Sequence, residues 1–522
     1  MSTRRDLAIG ALGAILVCLG SFGVGDPPRN WSVPTDLHLG WIGYGHGKNV
    51  SGVLFWAGVF CLVFAWVRLG RRVIGARTDR TDAADVPSVR TLQRWLPAWA
   101  APLLVAAPVY SRDVYAYLAQ GAVFGAGFDP YADGPAHNPG PLVDSMATVW
   151  ATTTAPYGPF TMGLFRVVTE ITGDHVVAGV LAIRLVLLPG LFLSLWAIPR
   201  LATHFGASPQ AGLWLALFNP MVLIHIVAGP HVEMLMMGVL ATGVALVVSG
   251  RHAWGTAALA MAVSIKITAA IAVPFVLWIW LSHIRSERAV AARDVVKVFA
   301  AIVGVSLAVF GFWTLVIGLG LGWLTGLGWA DVIINWFTIP TLVAHLVTLV
   351  AAPFVALNLQ PVLEVTRAIG SVVLALVLVG LWWRQRHDER TAVAGIAWAM
   401  LAVLLLEPST LPWYYTWALA VAVAFTLPRW AYATVVGAST FMLIVFQPDD
   451  AIVFYKPFEL VLAFVLAGLA AWSLLRPDPL RLGRFGRWAW GTPTPAASAR
   501  DKASDAPADE NGVRRPEPAP GG

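Results

Sequence analysis

From residue 7 to residue 475 the chain is a succession of long apolar runs separated by short polar breaks. A segment in lipid has no water to bond its N–H and C=O groups, so it must satisfy them internally, as an α-helix does. About 20 mostly apolar residues span a bilayer. Runs of this kind lie at 7–25, 51–69, 95–110, 174–199, 210–228, 232–249, 296–318, 362–383, 391–407, 430–446 and 457–475. The stretch 254–283 is too long for one simple span and holds Lys266 near its middle, so it reads as two short helices meeting at Lys266. Residues 413–428 add one more short span. The expected fold is an all-α polytopic membrane protein with about 14 transmembrane helices.

Composition excludes the soluble classes. The chain has 58% hydrophobic and 12% charged residues, whereas soluble domains carry about 25% charge. Its 25 Trp suit the two membrane–water interfaces. The net charge of +6 sits in short loops, which topology alone demands, so no nucleic acid partner is implied. Cys18 and Cys61 both lie in apolar segments, which argues against a disulfide framework or a Cys-based metal site. Met1 to Arg5 precede an apolar stretch without a clean small-x-small cleavage site, so a retained first helix is expected.

The arginines set the orientation. Arg68, Arg71, Arg72, Arg77, Arg80, Arg90 and Arg94 crowd one loop, which should be cytoplasmic. The same holds for Arg285, Arg288, Arg293 and Lys297, and for Arg384, Arg386 and Arg390. Arg200, Arg251, Arg429 and Arg476 each end a span. With Arg200 and Arg251 inside, 157–172 lies outside or only dips into the bilayer, and both termini are cytoplasmic. Asp113, His231, Glu233, Lys266, Glu407 and Trp413-Tyr414-Tyr415 then all fall at non-cytoplasmic helix ends, as one outward-opening site would require.

Residues 1–475 form the transmembrane module and 476–522 a cytoplasmic, largely disordered tail rich in Ala, Pro, Asp and Glu. The large first external loop, 111–173, carries turn chemistry at Gly127-Phe128-Asp129-Pro130-Tyr131 and Asn138-Pro139-Gly140-Pro141. Within it, 112–124 is expected as a short amphipathic helix lying at the interface. A second loop, 319–361, holds Trp323, Trp329 and Trp336 and fits another interfacial helix. No internal repeat is visible.

The charged residues carry the functional argument. Ionisable groups at membrane depth cost roughly 2.5–3.5 kcal/mol and usually face a cavity or a partner. Asp113 can take a hydroxyl proton as a new bond forms, and Arg112 beside it can clamp a phosphate; the plainer reading is an interfacial pair. Pro220 and Pro230 break a helix near His231 and Glu233, which can bind a polar substrate or pair with each other. Lys266, one of five lysines, wants an anion: a lipid-linked phosphate, or Glu233 or Glu407 as a salt-bridge partner. Glu407-Pro408-Ser409-Thr410-Leu411-Pro412-Trp413-Tyr414-Tyr415 opens a helix whose aromatics can stack on sugar or form an interfacial belt, and Tyr131 and Tyr157 are equally ambiguous. Together these residues describe a pocket for sugar and phosphate. No Gly-rich nucleotide loop is present, so a lipid-phosphate sugar is the logical donor. A transporter or flippase of lipid-linked sugars would use similar groups but commonly shows repeated halves, and an envelope scaffold is the blandest alternative.

The motifs Ser111-Arg112-Asp113-Val114-Tyr115-Ala116-Tyr117-Leu118-Ala119-Gln120-Gly121, Asp129-Pro130-Tyr131, Thr153-Thr154-Ala155-Pro156-Tyr157-Gly158-Pro159, Asn219-Pro220 with His231-x-Glu233, and Pro412-Trp413-Tyr414 resemble those of the polyprenyl-phosphomannose-dependent α-1,6-mannosyltransferases (MptB/MptA-like) of the GT-C superfamily. The resemblance covers roughly residues 5–475 and looks nearer the B branch than the A branch. It implies an inverting enzyme of the cell membrane. Mannose would pass from a polyprenyl-phosphate donor to a lipid-anchored α-1,6-mannan acceptor, the backbone of lipomannan and lipoarabinomannan, on the non-cytoplasmic face among membrane lipids. Asp113 matches the family's catalytic base. Arg112, Lys266 and His231 would hold the donor phosphate; Glu233, Tyr131, Tyr157, Glu407, Trp413 and Tyr414 would contact sugar and acceptor. No cofactor is required on this reading, and no metal is supported. One departure stands out: Val232 occupies the centre of a His-x-Glu motif where the family pattern has Asn.

Overall fold

A computed structural model describes residues 3–29, 36, 38–75, 86–326, 328, 332–476 and 479–480. The chain divides into two compact units, Met1–Leu475 and Arg476–Gly522. All helices among the described residues, and the site, belong to the first; of the second, only residues 476 and 479–480 are described, so the expected tail lies outside the described residues, as do Arg77, Arg80 and Trp329.

Eight helices among the described residues are long and apolar enough to cross a bilayer: Thr3–Val24, Gly45–Gly75, Val176–His204, Ile267–Glu287, Ala292–Ile317, Leu359–Arg384, Glu389–Leu406 and Pro457–Leu475. Pro209–Ala216 and Pro220–Ala228, bent by 51°, make a ninth if taken as one span. Four shorter apolar helices accompany them: Glu233–Val248, His252–Ile265, Ile339–Ala351 and Arg429–Val445. The other expected spans are shorter still or interrupted. The run at 95–110 is the helix Val89–Leu104, which carries Pro97 and Pro102 internally, and 413–428 reduces to Tyr415–Ala422.

Lipid offers no hydrophobic drive between helices, so small residues that let backbones touch hold the bundle. A Cβ on Gly13 would sit 2.8 Å from the Gly58 carbonyl oxygen, and one on Gly58 2.7 Å from that of Gly13. One on Gly238 would sit 2.1 Å from the Gly190 oxygen. At the arginine-rich ends charges are paired. Buried Asp6 binds Arg68 Nε at 2.7 Å and Arg72 Nε at 3.0 Å, joining the first helix to the end of the second. Glu389 accepts from both His204 and His283, and His283 Nδ1 lies 2.7 Å from His252 Nε2. Four helix ends beside Arg200, Arg251, Arg285 and Arg390 are thereby gathered.

The helix Asp113–Gly125 departs from expectation. Ten of its residues are buried, on every face, so it is an internal strut and not an amphipathic surface helix. It packs on Pro159–Thr172, where a Cβ on Gly121 would meet the Phe165 carbonyl oxygen at 2.4 Å. Tyr110 turns the chain into this strut at φ +67°. Its N–H donates to the Pro448 carbonyl at 3.0 Å and its hydroxyl to that of Leu443 at 2.9 Å, so the strained backbone is fixed from two sides.

Two helix breaks sit near the middle of the bundle. The first follows Pro220: a four-residue helix, a π-turn over Ile224–Ala228, and then Glu233–Val248. Fully buried Arg184 satisfies the carbonyls this break frees, donating to Val227 at 3.2 Å, Ala228 at 2.6 Å and Leu104 at 3.0 Å. The second lies at Lys266, as its position in the sequence indicates: the residue is extended (φ −150°, ψ 132°) between His252–Ile265 and the 3₁₀ turn Ile267–Ala272. The role of Arg184 has a direct test. An unsatisfied buried acceptor costs about 1–3 kcal/mol, so Arg184→Met should lower the thermal unfolding midpoint of the detergent-purified protein by several degrees. Arg200→Met, which removes only an exposed guanidinium stacked on Trp196, should leave it unchanged.

Candidate active site

Asp113 opens its helix, where the helix dipole favours a carboxylate. Its N–H donates to Ser111 Oγ at 3.1 Å. Asp113, Tyr117 and Gln120 share one stripe at helical spacing, and all three line a cavity of about 200 Å³. The opposite walls are the loop with Thr153, Thr154 and Tyr157, the break at Lys266, and the segment with Glu407, Ser409 and Tyr414. Burial raises the Asp113 carboxyl above the ordinary carboxylate range; Glu233 pushes the same way, while Lys266, and His231 whenever it is charged, pull against it.

The walls are held by bonds between distant segments. The Gly158 N–H and the Thr161 hydroxyl both donate to the Ile265 carbonyl, at 3.4 and 3.1 Å, and the Phe160 N–H donates to Ser264 Oγ at 3.3 Å. The external loop thus caps the helix that ends at Lys266. Glu407 closes the helix Glu389–Leu406. The segment after it is tied down by Asn335 Nδ2 on the Thr410 carbonyl at 2.8 Å and by Thr341 Oγ1 on that of Pro408 at 2.9 Å.

Lys266 Nζ donates to Glu233 Oε1 at 2.5 Å and lies over the rings of Tyr414 (4.0 Å) and Trp417 (5.2 Å). An ammonium has three donors, so the pair leaves Lys266, which lines the cavity, with donors for a ligand anion. Glu233 is fully buried and lies outside the lining. Its carboxylate holds Lys266 in place, which corrects its expected contact with sugar.

Four other expected contacts are placed elsewhere. Arg112 points away from the cavity because its guanidinium is spent on the Ser145 carbonyl (2.7 Å), Asp26 Oδ1 (3.0 Å) and the Pro27 carbonyl (3.1 Å). His231 sits behind Asp113, 1% exposed, with Nε2 3.7 Å from Asp113 Oδ2. Trp413 stacks on that imidazole at 3.7 Å instead of on the cavity. Tyr131 is buried, its hydroxyl donating to the Tyr157 carbonyl at 2.9 Å, so it shapes the loop from behind. Asp113, Lys266, Tyr157, Glu407 and Tyr414 do reach the cavity. Val232 is fully buried and does not line it. The structure adds Tyr117 and Gln120, which the Asp113 helical stripe could have indicated, and Gln120 Oε1 is buried without a hydrogen-bond partner.

A multi-pass membrane protein with a carboxylate and an ammonium lining one aromatic-walled cavity is the class these features define. The chain belongs to the alpha-(1->6)-mannopyranosyltransferase family: residues 7–282 match the model of that family's N-terminal domain, and residues 340–476 match the MptB C-terminal domain. It is 42% identical to Alpha-(1->6)-mannopyranosyltransferase A of Mycobacterium tuberculosis over 91% of this chain and 90% of that protein. It is 36% identical to the A enzyme of Corynebacterium glutamicum (87% and 95% covered) and 31% identical to the B enzyme of the same organism (90% and 82% covered). By identity the A branch is therefore nearer than the B branch, the reverse of the order the motifs indicated.

Gly158 tests the cap. A Cβ there would lie 2.3 Å from the Ser264 carbonyl oxygen, so Gly158→Ala must separate Tyr157 from the break at Lys266. A displacement of about 1 Å near a reacting centre can cost roughly 100-fold in rate. Gly158→Ala should lose at least tenfold in turnover, whereas Gly140→Ala, whose nearest neighbour is 4.0 Å away, should keep wild-type turnover.

Proposed function

We propose that the chain moves mannose from a polyprenyl-phosphate donor to the 6-hydroxyl of an α-1,6-mannan acceptor of the lipomannan and lipoarabinomannan type, on the non-cytoplasmic face. The reading rests on Asp113 and Lys266 lining one cavity, in a chain of this family. The acceptor oxygen attacks the donor's anomeric carbon as its proton passes to Asp113. The bond from that carbon to the phosphate oxygen breaks, and its electron pair leaves with the lipid phosphate. Attack from the face opposite the leaving group inverts a β-linked donor to an α-product, and one base suffices.

Lys266 stabilises the charge that grows on the departing phosphate, in a site where fixed charges act more strongly than in water. Glu233 holds the ammonium in position before substrate arrives. Tyr157, Tyr414 and Glu407 supply ring faces and an acceptor for sugar hydroxyls, and Arg112 braces the base through the loop at Asp26.

The test is transfer by purified protein in nanodiscs, given synthetic polyprenyl phosphomannose and a short α-1,6-mannoside. Wild type should extend the acceptor by one mannose. Asp113→Asn should lose about 10²–10⁴-fold, the usual worth of a positioned base. Wild-type-like turnover by Asp113→Asn would remove Asp113 from this role, and translocation of the donor without covalent transfer would favour a flippase. The pH profile is a second check. A base must be deprotonated to act, and burial raises Asp113 above its ordinary 3.8. Activity should therefore fall with decreasing pH through a value above the ordinary Asp range.

A further inference from the structure

We infer that His231 is a positioning residue that receives a hydrogen bond from Asp113 once, and only once, Asp113 has taken the acceptor's proton. This rests on Asp113 being the base. His231 Nδ1 lies 2.5 Å from the His225 carbonyl oxygen. A carbonyl only accepts, so Nδ1 carries the hydrogen. In the neutral ring Nε2 then presents a lone pair. That nitrogen is buried without a hydrogen-bond partner, and it lies 3.7 Å from Asp113 Oδ2, beyond the 2.7–3.2 Å range of a hydrogen bond.

A carboxylate and a lone pair have no proton to share, which accounts for the gap. Protonation of Asp113 supplies one: with the acceptor's proton on Oδ2, and the carboxyl drawn about 0.5 Å closer to the ring, the acid O–H donates to Nε2. The bond is thus absent in the ground state and forms as the proton transfers, and only interactions of that kind speed the chemical step. The ring is prepared for the role. Trp413 stacks on it at 3.7 Å with an interplanar angle of 21°, the break after Pro220 delivers it to the base, and its 1% exposure keeps water from substituting for it. After the product leaves, the proton departs from Asp113 to water through the cavity.

The charged and titratable neighbours are few. Glu233 and Lys266 neutralise each other. The Tyr117 and Tyr157 hydroxyls adjoin Asp113 from its own helix and the external loop, Tyr414 adjoins it from the segment after Glu407, and Asp450 from the loop between the last two helices. The His225 ring, whose carbonyl bonds His231 Nδ1, lies 5.8 Å from the Trp413 ring.

The experiment is the pH dependence of kcat/KM for three purified proteins: wild type, His231→Phe and His231→Gln. His231→Phe keeps an aromatic ring against Trp413 and removes the acceptor. Its plateau should drop about tenfold, the worth of one hydrogen bond. Its acid limb should move to lower pH, because protonated Asp113 loses a partner that stabilised it. His231→Gln, whose amide can also donate to the ionised carboxylate, should shift the limb to lower pH as well, so a limb that stays or rises is readable even if His231→Phe does not fold. A limb that moves to higher pH would mean a charged His231 holding Asp113 ionised, and an unmoved limb would mean a purely structural role; either overturns the inference. Absence of transfer by wild type, or full activity of Asp113→Asn, would instead remove the underlying reading of the site.

Discussion

The interrupted helix at Lys266 is the constraint on which the rest depends. In lipid an open helix end is costly, since each unsatisfied backbone group has no water to turn to. The end at Ile265 is satisfied by the external loop, through the Gly158 N–H and the Thr161 hydroxyl. Those contacts also set Tyr157 and Lys266 on one cavity and hold the helix Pro159–Thr172, on which the Asp113 strut rests. Stability and site geometry are one set of bonds: a chain that opened this helix without the loop would lose both.

A second economy is electrostatic. Charges inside the bundle are matched locally: Glu233 with Lys266, Asp6 with Arg68 and Arg72, Asp26 with Arg112. Arg184 is matched by three carbonyls. Breaking a buried pair by removing one partner is far more damaging than replacing both, so these charges are mutually dependent. Asp113 stands apart. The basic side chain beside it, His231, lies 3.7 Å away, it keeps 19% of its side chain exposed, and it meets the cavity from the strut.

Much of this was legible in the sequence. Lys266 in the middle of an apolar stretch marked the helix break, and Pro220 and Pro230 marked the other. The arginine pattern placed Asp113, His231, Glu233, Lys266 and Glu407 at one set of helix ends; in the structure Asp113, Lys266 and Glu407 line one cavity, with His231 packed behind Asp113 and Glu233 behind Lys266. Depth was not legible. Whether Glu233 faces sugar or holds Lys266 depends on the crossing of two broken helices, and nothing local to residue 233 encodes it. Arg112 looked like a phosphate ligand because its partner Asp26 is 86 residues away. The strut 113–125 was misjudged for a reason the sequence did offer: beyond Asp113 its polar side chains are two tyrosines and Gln120, too few for a helix at a membrane surface. Span lengths were less legible: the apolar run 413–428 forms a helix only over Tyr415–Ala422, and four other apolar helices are shorter than a full crossing.

The most direct test of the account is a structure of the protein with a non-hydrolysable polyprenyl phosphomannose analogue and a short α-1,6-mannoside. A phosphate oxygen should lie within hydrogen-bond distance of Lys266 Nζ, and the acceptor 6-oxygen should lie within hydrogen-bond distance of the Asp113 carboxylate, on the face of the anomeric carbon opposite the phosphate. A phosphate seated away from Lys266, or an acceptor hydroxyl out of reach of Asp113, would contradict it.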